Sequence, residues 1–187
     1  MLNDALLFLL NVVVQSFATI LLLRFHLQWL RAPMRNPIGE FVMAFSDFLV
    51  LRARRYIPAV SGYDTATLIF AWLVETLYLA LATWLESGHF FSPLGFLVLA
   101  VVKLLSNSIY ILMAALFAQV ILSWINPYTP IAAVLNAITY RFLRPLRRFV
   151  PMIGNIDLSP MLLLVICQLL LIVPVAMLES LVVRLFF

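Results

Sequence analysis

The 187-residue chain is 65% hydrophobic and 11% charged, with a formal net charge of +4. Soluble domains are about half apolar and about a quarter charged, so one folded core cannot hide this much apolar surface and lipid must solvate the remainder. The lone Cys167 excludes an internal disulfide and stands outside any CxxC or CxxCH pattern. No phosphate-binding glycine loop, Ser-His-Asp arrangement or metal-spaced cluster occurs, so the sequence points to no enzyme, cofactor or metal, and its short arginine runs make no case for nucleic acid.

The opening, MLNDALLFLL, carries Asp4 where a cleaved secretory signal would carry positive charge. The apolar run 5–23 is therefore read as a retained span, with 24–29 as its interfacial end. A basic segment follows with Arg31, Arg35, Arg52, Arg54 and Arg55. A second span is expected over 65–85, carrying the single charge Glu75, and the loop after it has no Lys or Arg. The apolar stretch 94–125 is interrupted at Lys103. At 1.5 Å per residue it would reach about 48 Å, too long for one ordinary span and too short for two with a turn. The expectation is a shallow helix before Lys103 and a span over 104–125. A second basic segment holds Arg141, Arg144, Arg147 and Arg148, and an uncharged fourth span is expected over 158–178, with Pro174 as a kink. The Lys/Arg excess in the first and third loops puts both arginine segments on the cytoplasmic side of a cell inner membrane and both termini outside.

The chain repeats itself. At an offset of 93, Pro37-Ile38 falls on Pro130-Ile131, Arg54-Arg55 on Arg147-Arg148, Pro58 on Pro151 and Asp64 on Asp157; ahead of this block, after a two-residue gap, Trp29 falls on Trp124. The repeats are 1–92 and 93–187. Each reads as span, cytoplasmic segment, span, which gives the copies the same orientation in the membrane. After each first span, apolar residues recur at helical spacing: Ile38, Phe41, Val42, Phe45 and Leu49 in copy one, Ile131, Val134, Leu135, Ile138 and Phe142 in copy two. These are amphipathic helices too short to span, lying in the interface or re-entering it. The fold class is thus an all-α membrane protein: four transmembrane helices in two tandem hairpins of parallel topology. The arginines are expected to end each amphipathic helix at anionic headgroups, the proline to stop it, and Asp64 and Asp157, or Ser159 ahead of Pro160, to cap the next span.

The stretch RFLRPLRRFVPMIGNIDLSPMLLL, the duplication and WINP at 124–127 resemble the YggT family of small bacterial membrane proteins, which has relatives in plastids. The likeness covers nearly the whole chain and is strongest in copy two. Where the family motif carries a second upstream proline, this chain has Arg141; copy one has Phe48 and Arg52 where prolines are usual. The resemblance implies osmotic-stress tolerance and potassium or solute handling, or roles near cell division or cytochrome assembly, and no agreed enzymatic activity.

Glu75 stands out among single residues. It lies ten residues into a 21-residue span, near the midplane, where a charge costs about 3 kcal/mol or more. Its repeat equivalent is Gln168, and the two form a candidate intramembrane polar pair. The alternative is a protonated Glu75 hydrogen-bonded to a neighbouring helix. Lys103 reads as an anchor at the outer interface, and Asn11, Gln15 and Ser106 as interhelical contacts. His26 and His89 fall at opposite interfaces, too far apart to share a metal or haem. Arg54, Arg55, Arg147 and Arg148 read as topology determinants, with an acidic partner or anionic lipid as the alternative. Two functions follow: a non-enzymatic scaffold or assembly factor that docks a membrane partner on its amphipathic segments, or an oligomeric channel or transport component built on Glu75 and Gln168.

Overall fold

The computed structural model describes residues 2–54, 57, 64–89, 91–126, 128–150 and 157–187. Among these there is no strand. Four helices are long and apolar enough to cross a membrane: Asn3–Trp29, Thr65–Ser87, Pro93–Ile125 and Ser159–Phe186. In chain order the elements are α1 (Leu2–Trp29), α2 (Pro37–Ala53), α3 (Thr65–Ser87), α4 (Pro93–Ile125), α5 (Pro130–Leu146), α6 (Ser159–Leu170), a π turn (Leu171–Val175) and α7 (Ala176–Phe186). Helices α2 and α5 are the two 17-residue segments between spans.

Both short helices start the same way. Asn36 and Thr129, equivalent at the 93-residue offset, each precede a proline in the first turn. The Asn36 side-chain Oδ1 accepts from the N–H groups of Ile38 and Gly39, each at 3.0 Å, and the Thr129 hydroxyl accepts from Ala132 at 3.3 Å. Their ends match too, with Arg54 and Arg147 as C-caps.

Two boundaries differ from the sequence expectation. Residues 93–125 form one unbroken 33-residue helix, not a shallow helix followed by a span from 104. Lys103 is no helix breaker, and its charge is met by Glu179 of α7. At about 50 Å the helix exceeds the ~30 Å hydrocarbon core, and the surplus at its C-terminal end packs against α5. The fourth span does not stop at 178 but continues to Phe186. Pro174 removes one backbone donor, and the helix absorbs the loss as a π turn without breaking.

The amphipathic face of α5 lies as expected, with Val134, Leu135 and Ile138 buried. That of α2 is rotated. Gly39, Val42, Ser46 and Val50 face inward, while Phe41, Phe45 and Phe48 are half or more exposed. The reason is polar: Ser46 is turned toward Arg24 of α1, and the phenylalanines lose nothing by facing lipid. Leu27 and Val42 meet Ala115, Val134 and Ile138 in one core cluster, so α1, α2, α4 and α5 share a core across the repeats. At the opposite end the C-terminal Phe187 packs on Phe91 and Phe96, which fastens α7 to the start of α4.

Candidate functional site

The repeated Arg-to-Asp spacing folds into two matching clasps. Arg54 Nη2 donates to Asp64 Oδ2 at 2.6 Å, and Arg147 Nε donates to Asp157 Oδ2 at 2.8 Å. Each aspartate uses its other oxygen on the start of the next span: Asp64 Oδ1 accepts from the Thr67 N–H at 3.4 Å, and Asp157 Oδ1 from the Ser159 N–H at 2.9 Å. An arginine at the end of one helix is thus tied to the first turn of the next. Arg148 is exposed beside its clasp. Arg55, Pro58 and Pro151 lie outside the described residues.

Burial opposes ionisation of Asp64, but hydrogen bonds from Arg54 and Thr67 outweigh it and hold the carboxyl below its usual value. Asp157 is held below it likewise, with burial outweighed by hydrogen bonds from Ser159 and Arg147. A carboxyl whose value is depressed on folding stabilises fully above its unfolded value, and loses that contribution as pH falls through the folded one. Thermal unfolding in detergent between pH 7 and 3 should therefore show the wild type losing more stability on acidification than Asp157→Asn. Parallel pH profiles for the two proteins would refute the clasp as a stabilising contact.

A second matched pair was not read from the sequence. Arg24 is 3% exposed; its Nη1 donates to Ser46 Oγ at 2.5 Å and to Asp47 Oδ1 at 2.7 Å, and its Nε lies 3.9 Å from Asp64 Oδ2. In copy two, Thr139 Oγ1 donates to Gln119 Oε1 at 2.6 Å. Gln119 is Arg24 plus 95 and Thr139 is Ser46 plus 93, the same two offsets that relate the repeats. Each first span is therefore joined to its amphipathic helix by a polar side-chain contact at the same place, which Asp47 reinforces in copy one. The signal was present in the paired offsets, but an arginine at a span end reads as an interfacial anchor until its partner is seen.

The polar residues of the spans converge on a chamber of about 430 Å³ between α1, α3, α4 and the fourth span. Glu75 is 1% exposed; its Oε1 accepts from Gln15 Nε2 at 3.0 Å, and its Oε2 has no hydrogen-bond partner among the described residues. Gln15 Oε1 in turn faces Asn107 Nδ2 at 3.4 Å. Asn11, Tyr78 and Ser106 complete the polar wall. Lys103 is on the same wall, its Nζ 2.6 Å from Glu179 Oε1. It is therefore also a partner within the bundle, a contact the sequence did not reveal. Glu179 was missed because it lay beyond the expected end of the fourth span.

The candidate pair Glu75 and Gln168 is not brought together. Helix α6 buries Leu163 and Cys167 against α4, and the next residue, Gln168, turns outward into a separate hollow beside Tyr110 and Phe117. The partner of Glu75 is Gln15. His26 Nδ1 bonds the Leu22 carbonyl within α1, and His89 is exposed in the α3–α4 loop. No group of three or more His, Cys, Asp or Glu among the described residues could hold a metal ion. What the chamber offers is one carboxylate oxygen without a protein donor, framed by amides and hydroxyls. That oxygen can take a proton or contact a small cation.

The CCB3/YggT family model matches residues 3–85 and 98–178, one segment in each repeat. The chain is 33% identical over 164 residues to protein PA0392 of Pseudomonas aeruginosa, covering 85% of this chain and 82% of that one. It is 30% identical over 168 residues to YggT of Escherichia coli K12, covering 87% and 85%. It is 30% identical over 160 residues to a Vibrio alginolyticus protein encoded in the proC 3' region, covering 84% and 86%. No solved structure matches it. Two family segments in tandem, on four helices fit to cross a membrane, make this chain a member of the CCB3/YggT family.

Proposed function

We propose that the protein is a non-enzymatic component of the cell inner membrane that takes up a proton or a monovalent cation such as potassium in the Glu75 chamber. The observation that carries this reading is the free Oε2 of a fully buried Glu75. A buried carboxylate whose role was packing alone would have both oxygens engaged by neighbouring helices. Among the described residues of the chamber wall the basic side chain is Lys103, which bonds Glu179 and leaves the second oxygen of Glu75 without a donor. A chamber of this volume is a binding site and not a through-pore, so passage across the membrane calls for a second copy or a movement of the fourth span. The arginine segments face the cytoplasm in this reading, by the excess of positive charge in those loops.

Potassium uptake in uptake-deficient cells tests the proposal, with variants at matched membrane levels. A charge-assisted contact is worth about 1.5–3 kcal/mol, or roughly ten- to a hundredfold. Glu75→Gln should cut uptake by that factor, while the Arg147→Ala/Arg148→Ala double variant, remote from the chamber, should retain it. Absence of uptake with well-inserted wild type, or full uptake with Glu75→Gln, would sink the transport reading. The scaffold reading has its own observation, the outward stripe of Phe41, Phe45 and Phe48 on α2. It expects membrane partners or further copies of this chain to co-purify, and indifference to Glu75→Gln.

A further inference from the structure

We infer that the groove between α1, α4, α5 and α6 is a specific site for an anionic phospholipid, with Arg141 receiving the phosphate and an acyl chain filling the slot beneath it. The groove measures about 420 Å³. Its walls are almost wholly apolar. Leu105 to Leu112 on α4 and Leu163 to Leu170 on α6 each run about 10 Å along the slot, from the arginine-rich end toward the middle of the bundle. Two of the few polar groups in the lining bond their own helices: Ser108 Oγ donates to the Leu104 carbonyl at 2.7 Å, and His26 Nδ1 to the Leu22 carbonyl at 2.7 Å.

The mouth is different. The Arg141 guanidinium sits over the Trp29 ring, 5.4 Å from its centroid, and no carboxylate among the described residues pairs with it. A guanidinium in cation–π contact with a ring still has N–H groups free to donate to a phosphate. Arg144 and Arg148 are exposed on the same segment and add positive potential there. One end is cationic without a counter-ion and the rest is oily, which is the complement of an anionic amphiphile. The site belongs to copy two alone. The 93-residue offset carries Arg141 to Phe48, which stacks on Phe17 at 6.0 Å and offers no charge.

The test is native mass spectrometry of the delipidated full chain in detergent, titrated with phosphatidylglycerol, with phosphatidylcholine and with glycerol 3-phosphate. The wild type should retain one phosphatidylglycerol in preference to phosphatidylcholine and should not retain glycerol 3-phosphate. A cation near an anionic headgroup is worth about a fivefold change in affinity, so Arg141→Ala should lower that preference by roughly this factor. Ile166→Trp, which fills the slot and leaves Arg141 in place, should abolish retention; its thermal unfolding, compared with wild type, reports whether the fold is intact. Arg35→Ala, an exposed arginine outside the groove, should change nothing. Equal retention of both lipids by the wild type, an equal loss in Arg35→Ala, or a dimer that phosphatidylglycerol does not dissociate would each overturn the site. So would unchanged preference in Arg141→Ala.

Discussion

Replacing Arg24 with alanine should be among the most damaging single substitutions in this chain, with a loss of about 3 kcal/mol or more in unfolding experiments in detergent or bilayer discs. The guanidinium is buried and joins three elements. It holds Ser46 and Asp47 of α2, and approaches Asp64 at the start of α3. Removing it leaves the fully buried Ser46 hydroxyl without its donor, takes the ion-pair partner from a part-exposed Asp47 and opens a hole where a buried side chain stood. The sequence supplies its own control. Copy two makes the same helix-to-helix joint with Gln119 and Thr139. Arg24→Gln keeps an amide donor for Ser46, Asp47 is partly solvated, and Asp64 retains Arg54. Arg24→Gln should therefore lose distinctly less stability than Arg24→Ala. If the two variants unfold alike, the joint is not what holds α2 against α1.

Gly39→Ala should destabilise by about 2–3 kcal/mol, for a steric reason and not a conformational one. A Cβ at this position would lie 2.1 Å from the Met34 carbonyl oxygen and under 3.0 Å from the Met34 carbonyl carbon and Cα. These are backbone atoms of the α1–α2 connection, which folds over the first turn of α2 where Asn36 caps it. They cannot rotate aside as a side chain would. Copy two has Ala132 at the equivalent position, where the connection is shorter and the methyl is accommodated. Gly88 provides the contrast. It ends α3 with φ +70°, and no atom lies within 4 Å of its notional Cβ. Gly88→Ala meets only the left-handed backbone penalty, about 1–2 kcal/mol. Thermal unfolding of the two variants should rank Gly39→Ala below Gly88→Ala, and the reverse order would show that the connection yields more easily than its packing implies.

Local chemistry was enough to reveal the spans, the repeat and the short helices. Hydrophobic runs must find lipid, and cap residues act on backbone groups two or three positions away, so both leave a mark in the linear sequence. The prominence of Glu75 was legible for the same reason, as a charge in an apolar run. Partner choice was not. Symmetry assigned Gln168 to Glu75, but the one-residue step from Cys167 turns Gln168 out of the bundle, and Gln15 from α1 takes its place. The face of α2 was misread because Phe41 and Phe45 look like a core until lipid is counted as a solvent for them. The partner of Lys103 within α4 was equally hidden, because Glu179 stands 76 positions away. Alone, then, the sequence determined which segments are apolar enough to cross a membrane and where the second and fourth of them begin, since these follow from solvent and near neighbours. Only the tertiary structure decided which charges meet, which oxygen of Glu75 stays free, and that Arg141 stands at the mouth of an oily groove, because those follow from how helices distant in the chain pack and turn against one another.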